Sequence, residues 1–133
     1  MTTYIDKVAL IEIKDKKLLV TLTQGKDTWY LPGGKREAGE TDTQTLVREM
    51  KEELNVAIDP KSLTHYGTFE AQAHGKPEGT FVRAACYMAV YTGEPVASSE
   101  IAAVKYFPYD RKQETGQVAH VLFDDLKTKG LIE

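Results

Sequence analysis

Three glutamates crowd one face of a predicted helix in the first half of the chain. Glu49, Glu52 and Glu53 follow a glycine-rich turn, and at 3.6 residues per turn they fall within an arc of about 100°. Like charges this close repel one another, so the face needs a compensating cation. Oxygen ligands suit a hard divalent ion, so we predict a Mg²⁺ or Mn²⁺ site here. The alternative is a solvated, charge-rich helix face with no ligand.

The residues around these carboxylates predict where the helix begins and ends. Thr41 is the predicted N-cap, and Gln44 three residues later completes a capping box. An apolar stripe for packing on a sheet lies beside the carboxylate face and consists of Leu46, Val47, Met50 and Leu54. Asn55 follows as the predicted C-cap, because Asn is second to Gly in tolerating a left-handed conformation.

The segment from Gly34 to Val56 closely resembles the signature of the Nudix (MutT-like) hydrolases. That signature is a Gly, five residues, a Glu, seven residues, then Arg-Glu-apolar-any-Glu-Glu-any-Gly-apolar. One position departs, since Asn55 stands where the family usually has Gly, and its C-capping ability makes the exchange conservative. The matching positions are Gly34, Glu40, Arg48, Glu49, Met50, Glu52, Glu53 and Val56.

The resemblance implies hydrolysis of a pyrophosphate bond in a nucleoside diphosphate linked to a further group. It also implies that the metal ion is held by the carbonyl of Gly33 and by the side chains of Glu49, Glu52 and Glu53. By the same resemblance, Arg48 orients a carboxylate of the motif. Glu40 is expected to support the junction between turn and helix through hydrogen bonds.

The general base is expected among the glutamates, and two positions compete for the role. Glu49 is fixed on the helix beside Arg48, so its geometry is preorganised. Glu100 lies on a later loop, before a predicted strand, and family members often supply a base from such a loop. The alternative is that Glu100 is an ordinary exposed glutamate. We therefore assign Glu49, Glu53, Arg48 and Glu100 as the catalytic candidates, with Glu49 as the preferred base.

The identity of the substrate is less constrained. Subclasses of the family acting on ADP-ribose or dinucleoside polyphosphates place a Pro or a Tyr about 15 residues after the motif, and the segment Glu70–Ala73 contains neither. This favours a nucleoside triphosphate or another small nucleotide. No substrate-binding residue is assigned, because His74, Lys76 and Arg83 are better explained as solvated surface than as phosphate or base contacts.

Two other functions fit parts of the sequence. The first is an inactive module that senses a nucleotide without cleaving it, although such domains usually lose motif carboxylates that are present here. The second is an isomerase acting on a prenyl diphosphate, which shares the fold but needs acid and thiol groups. Cys86 is the single cysteine, and its apolar neighbours predict a buried residue in a reducing compartment.

Length and composition limit the remaining possibilities. The 133 residues predict one domain over 1–133, and the resemblance implies an α/β fold, a Nudix-type α/β/α sandwich with a mixed β-sheet. The net charge of −3 argues against nucleic-acid or membrane partners, which favour basic surfaces. The first residues lack the pattern of a signal peptide, so we predict a cytoplasmic protein. We expect it to be a monomer or a homodimer.

Apolar and β-branched runs predict the remaining elements. A hairpin is predicted from the runs Val8–Ile13 and Leu18–Leu22 across a polar turn. A second helix is predicted over Thr115–Lys129, with Val118, Val121, Leu122 and Leu126 on one buried face. The other predicted strands are Trp29–Leu31, Tyr66–Ala71, Thr80–Tyr91 and Val104–Phe107.

Overall fold

A mixed sheet forms the centre of the computed structural model, which describes residues 2–73 and 75–133. The helices are α1 (Asp42–Leu54) and α2 (Gln117–Thr128), and a 3₁₀ helix spans Tyr109–Glu114. The strands are β1 (Thr3–Leu10), β2 (Ile13–Lys14), β3 (Lys17–Thr23), β4 (Trp29–Tyr30), β5 (Gly33–Gly34), β6 (Ala57–Ile58), β7 (Thr64–Gln72), β8 (Thr80–Met88), β9 (Tyr91–Thr92) and β10 (Ile101–Phe107).

The central sheet has the strand order β5-β1-β8-β7. Strands β1 and β8 run parallel, from the pair Thr3 and Thr80 to the pair Leu10 and Tyr87, whereas β5 and β7 are antiparallel to their neighbours. A second sheet has the order β10-β3-β2, with β4 also paired to β3. The parallel and antiparallel pairs together confirm the expected α/β fold with a mixed sheet.

The two faces of β1 contact different helices. Val8 and Leu10 belong to a buried cluster with Leu46, Met50 and Leu54 of α1. Ala9 and Ile11 alternate with Val8 and Leu10 along the chain, so their side chains point to the opposite face, as strand geometry requires. They pack with a cluster that contains Leu122 and Phe123 of α2. Helices therefore cover opposite faces of this strand, which gives the layered sandwich.

The predicted ends of α1 are confirmed. Thr41 is the N-cap, and its hydroxyl accepts a hydrogen bond from the Gln44 amide while the Gln44 side chain accepts one from the Thr41 amide. Asn55 is the C-cap with φ 55° and ψ 37°, which is left-handed backbone. These local contacts set the ends of the helix that carries the motif glutamates.

The predicted hairpin between Val8–Ile13 and Leu18–Leu22 is only partly right. Antiparallel pairing is confined to β2 and the start of β3, around a turn in which Asp15 and Lys16 both have positive φ. Strand β1 instead pairs with β8 over its whole length. The predicted strand Thr80–Tyr91 likewise ends at Met88, and Tyr91 belongs to the short strand β9.

The second helix begins later than predicted and buries a different face. Gly116 is its N-cap, because Thr115 is held in extended backbone and bridges to Trp29. Val121 is 38% exposed, so its assignment to the buried face was wrong. The buried residues follow the spacing i, i+3, i+4 and i+7; they are Ala119, Leu122, Phe123 and Leu126. Neither helix among the described residues is long and apolar enough to cross a membrane.

Candidate active site

The carboxylates of α1 meet the glycine turn that precedes the helix. The amide of Gly33 donates a hydrogen bond to Oε1 of Glu53 at 3.1 Å. A Cβ built on Gly34 would lie 2.2 Å from Oε2 of Glu49, so this carboxylate lies directly over the Gly34 backbone. Because β5 pairs with β1, the turn and the helix face are held together at one edge of the central sheet.

Arg48 connects several of the motif carboxylates. Its guanidinium donates to both carboxylate oxygens of Glu40, at 2.8 and 2.9 Å, and to Oε1 of Glu49 at 3.0 Å. It also lies 3.5 Å from Glu52 and donates to the carbonyl of Lys35 at 3.1 Å. A planar guanidinium suits such forked contacts, and it holds Glu49 in one orientation.

Glu40 stabilises the junction between the turn and α1. Its Oε1 accepts hydrogen bonds from the Glu37 amide at 2.8 Å and from the Thr45 hydroxyl at 3.0 Å. The hydrogen bond from Arg48, followed by that from Glu37, lowers the pKa of Glu40 to about 2. These are the contacts that the family resemblance implied for Glu40, and they leave its oxygens directed at the protein.

Glu53 and Glu49 lie in an environment that disfavours negative charge. Only 7% of Glu53 is exposed, and desolvation, followed by the neighbouring Glu49, raises its pKa to about 8. Desolvation also raises the pKa of Glu49, against the attraction of Arg48. Glu52 differs, because its side chain is 52% exposed. Buried carboxylates of like charge mark a position where a cation would be stabilising.

Glu100 lies on a loop that contacts α1, since the Ser98 amide donates a hydrogen bond to the Glu53 carbonyl at 3.0 Å. It directly precedes β10, and its negative charge contributes to raising the pKa of both Glu49 and Glu53. The Ser99 hydroxyl donates to its Oε2 at 2.7 Å, which lowers the pKa of Glu100 itself. The loop before β10 therefore contacts the end of α1 that carries Glu53.

The oxygens of this face fit a hard divalent cation by their chemistry. In the described part of the chain, Oε2 of Glu49 and Oε2 of Glu53 each accept no hydrogen bond, while Oε1 of each is occupied. Within residues 2–73 and 75–133, no three His, Cys, Asp or Glu side chains stand as a ready chelating group. Mg²⁺ often keeps several waters and uses only one or two carboxylates, so these two oxygens are compatible with such an ion.

A cavity of about 210 Å³ opens beside these carboxylates. It extends from the glycine turn and Glu53 toward the start of α2, so a group bound in it would adjoin the carboxylate face. The sequence alone did not identify the polar side chains that line this cavity, because they come from separate elements and form no motif. The polar side chains are Lys7, Thr21, Thr23, Tyr30, Glu53, Gln72 and Gln117.

The residues considered for substrate contact lie elsewhere or outside the described residues. Arg83 donates to Asp6 at 2.8 Å and its guanidinium stacks 4.2 Å from the Tyr4 ring centroid, so it is engaged on the surface. Lys76 lines a separate pocket, and His74 falls outside the described residues. Neither Arg83 nor Lys76 lines the cavity beside Glu53.

Cys86 is unsuited to chemistry in this fold. It is fully buried, and burial raises the pKa of its thiol to about 12. A thiol in this state is neither nucleophilic nor acidic near neutral pH. This observation removes the group on which the isomerase alternative depended.

Comparison with known proteins identifies the family to which this fold belongs. The model of the NUDIX domain matches residues 3–123. The uncharacterized Nudix hydrolase YvcI of Bacillus subtilis is 25% identical over 134 residues, which cover 98% of this chain and 85% of that protein. The crystal structure of a MutT NUDIX hydrolase from Burkholderia pseudomallei superposes with a TM-score of 0.75 at 21% identity, over 92% of this chain and 97% of its own.

A third protein is similar in fold over part of its length. It is a bifunctional NMN adenylyltransferase/ADP-ribose pyrophosphatase from Francisella tularensis, solved in complex with AMP and a Mn ion. The TM-score is 0.67 at 19% identity, over 97% of this chain and 42% of that one. The chain carries the motif and folds as the sandwich, and the family model matches most of its residues. It therefore belongs to the NUDIX domain family and is a Nudix hydrolase.

Proposed function

We propose that this chain hydrolyses a pyrophosphate bond in a nucleoside diphosphate linked to another group, with Mg²⁺ or Mn²⁺ as cofactor. The observation that carries the proposal is the position of Glu49 and Glu53. Both carboxylates face the glycine turn, next to a cavity of about 210 Å³. A diphosphate bound at that edge would place its attached group in the cavity.

The proposed metal ligands are Glu49, Glu52, Glu53 and the carbonyl of Gly33. A divalent ion held there would acidify the attacking water and neutralise charge on the phosphate oxygens. The protein contributes positioning and electrostatics, which dominate catalysis of phosphoryl transfer. Arg48 holds Glu49 through a hydrogen bond of 3.0 Å, and we assign it that positioning role.

Glu49 is the proposed base, with Glu100 as the competing assignment. Burial and the fixed contact with Arg48 keep the Glu49 carboxylate in place before substrate arrives, which favours proton transfer. Glu100 is exposed and hydrogen-bonded to Ser99, so it would have to leave that contact to accept a proton. The two groups are therefore separable by substitution.

Comparison of Glu49→Gln with Glu100→Gln tests the assignment at saturating metal and substrate. We expect Glu49→Gln to lower kcat by roughly 10²-fold or more, and Glu100→Gln to lower it much less. Metal affinity is measured in parallel by titration calorimetry, since Glu49 is also a proposed ligand. A far larger loss of kcat in Glu100→Gln at unchanged metal affinity would make Glu100 the base. An unchanged kcat in that variant would remove Glu100 from the site.

The substrate class is tested by a screen with Mg²⁺ and with Mn²⁺. Nucleoside triphosphates are the expected substrates, because the segment after the motif lacks the Pro or Tyr of other subclasses. ADP-ribose belongs in the same screen, since one similar structure is named as an ADP-ribose pyrophosphatase. Formation of a nucleoside mono- or diphosphate from any of these substrates, stopping on chelation, supports the proposal. Binding of a nucleotide without turnover would instead favour the sensing module.

Folding is expected to be independent of the metal ion. The two buried clusters consist of apolar side chains on both faces of the sheet, and the carboxylate face lies outside them. We therefore expect one cooperative thermal transition in excess EDTA, with any loss of Tm limited to the ligand-binding contribution. Circular dichroism with and without EDTA measures this. Loss of the cooperative transition in EDTA would show that the ion is structural.

A further inference from the structure

One charged amine lines the cavity beside the carboxylates. Lys7 is the only cationic residue among the described residues that form its wall, and Glu53 is the only anionic one. The other polar groups there are uncharged amides, hydroxyls and a phenol. The net charge of the chain is −3, so an anionic substrate is attracted to this position by local charge and not by the protein as a whole.

The ammonium group of Lys7 has no hydrogen-bond or ion-pair partner in residues 2–73 and 75–133. Its nearest aromatic contact is the ring of Tyr30, whose centroid lies 5.9 Å from Nζ. The residue is half-buried, and desolvation, followed by repulsion from Lys35, lowers its pKa. An ammonium has three donors and no acceptor, and withdrawing it from water without partners is unfavourable. A ligand with acceptor oxygens would supply those partners.

The strand pairing determines where this ammonium lies. Val8, the next residue in β1, pairs with Gly34, so Lys7 is adjacent to the glycine turn. It shares a strand face with Ala9, since alternate residues point the same way, and both line the cavity. Glu53 and Glu49 act on its charge from the side of α1. The cavity is thus lined by one carboxylate, that of Glu53, and by one cation, that of Lys7.

We propose that Lys7 donates a hydrogen bond to a phosphate oxygen of the substrate, from the wall of the cavity that Glu53 of α1 also lines. The inference rests on the proposed function and deepens it. Of the acceptors that a nucleotide offers, a phosphate oxygen carries charge, and charge-assisted hydrogen bonds are about twice as strong as neutral ones. A base carbonyl would compensate a desolvated ammonium less well. Lys7 therefore contributes to binding whichever base is attached.

Three variants test the role of Lys7. Lys7→Met keeps the apolar stem and removes the charge, and Lys7→Arg restores the charge. Lys61→Met is the matched control, because Lys61 is exposed on a loop and carries the same charge. Dissociation constants for inorganic pyrophosphate with Mg²⁺ are measured by calorimetry, Tm by calorimetric scanning, and kcat/KM for nucleotides that differ only in the base.

We expect Lys7→Met to weaken pyrophosphate binding by roughly 10- to 100-fold, as loss of a hydrogen bond to a charged group does. The loss in kcat/KM should be similar for every base, and Lys7→Arg should recover most of it. The Tm of Lys7→Met should be equal to or above that of wild type, because an unpaired, half-buried charge is removed. Lys61→Met should match wild type throughout.

Several outcomes overturn the inference. They are wild-type pyrophosphate affinity in Lys7→Met, a loss confined to one base, and no binding of pyrophosphate by wild type with Mg²⁺. A loss confined to one base would mean that Lys7 contacts the base edge. Failure of the proposed function looks different, since no nucleotide would be cleaved while pyrophosphate binding still depended on Lys7.

Discussion

Glu53→Gln is expected to lower kcat by at least roughly 10²-fold, because electrostatic stabilisation is the largest contribution to this kind of catalysis. Glu53 is the most buried motif carboxylate, with 7% of its surface exposed, and it is anchored by the Gly33 amide at 3.1 Å. An amide of the same shape fills the space without providing the negative charge that a divalent ligand needs. Steady-state kinetics with Mg²⁺ and with Mn²⁺ measure the loss.

The same substitution should leave metal-free stability unchanged or slightly higher. Desolvation and the charge of Glu49 disfavour the ionised form of Glu53, so a neutral side chain relieves both effects. Glu133→Gln is the control for loss of one carboxylate, because Glu133 is exposed at the C-terminal end. Full activity in Glu53→Gln would show that the site is misplaced. A large drop in Tm would show that Glu53 is a structural residue.

Gly33→Ala is expected to lower the free energy of unfolding by about 3 kcal/mol or more, from backbone strain and overpacking together. Gly33 has φ +149°, which other residues rarely adopt, and an added Cβ would lie 2.0 Å from the Val8 carbonyl oxygen and 2.8 Å from Cα of Ala9. Both obstacles are backbone atoms of a central strand, so rotation of a side chain cannot relieve them. Urea unfolding measures the change.

Gly130→Ala separates the two contributions to that loss. Gly130 also has positive φ, at +73°, but no atom lies within 4 Å of a Cβ built on it. It should lose only about 1–2 kcal/mol, the cost of left-handed backbone at a residue other than glycine. Equal losses in the two variants would mean that β5 moves away from β1 without penalty. In that case the hydrogen bond from Gly33 to Glu53 should weaken, and activity should fall.

Local signals in the sequence were sufficient for α1 and its motif. The capping box of Thr41 and Gln44 and the C-cap Asn55 act through contacts within five residues, so they depend little on the rest of the chain. The spacing of Glu49, Glu52 and Glu53 likewise follows from helical geometry alone. For this reason the fold family, the helix and the carboxylate face are all predictable from the order of the residues.

Features that depend on long-range pairing were not predictable in the same way. The burial of Phe123 instead of Val121 depends on which face of α2 meets the sheet, and two overlapping apolar stripes satisfy the helical period. The parallel pairing of β1 with β8 joins segments about 77 residues apart, as Asp6 opposite Arg83 shows. No local pattern specifies such a partner, since strand pairing is selected by the packing of the whole core.

The carboxylate helix of this protein was therefore determined by the sequence itself, whereas the cavity beside it was decided by the tertiary structure. Glu49 and Glu53 owe their proximity to one turn of helix. The cavity is lined by Lys7 of β1, Gln72 of β7 and Gln117 at the start of α2. These residues line one cavity only because the sheet and the second helix meet there. Helical spacing is a property of neighbouring residues, but convergence of distant elements is a property of the folded core.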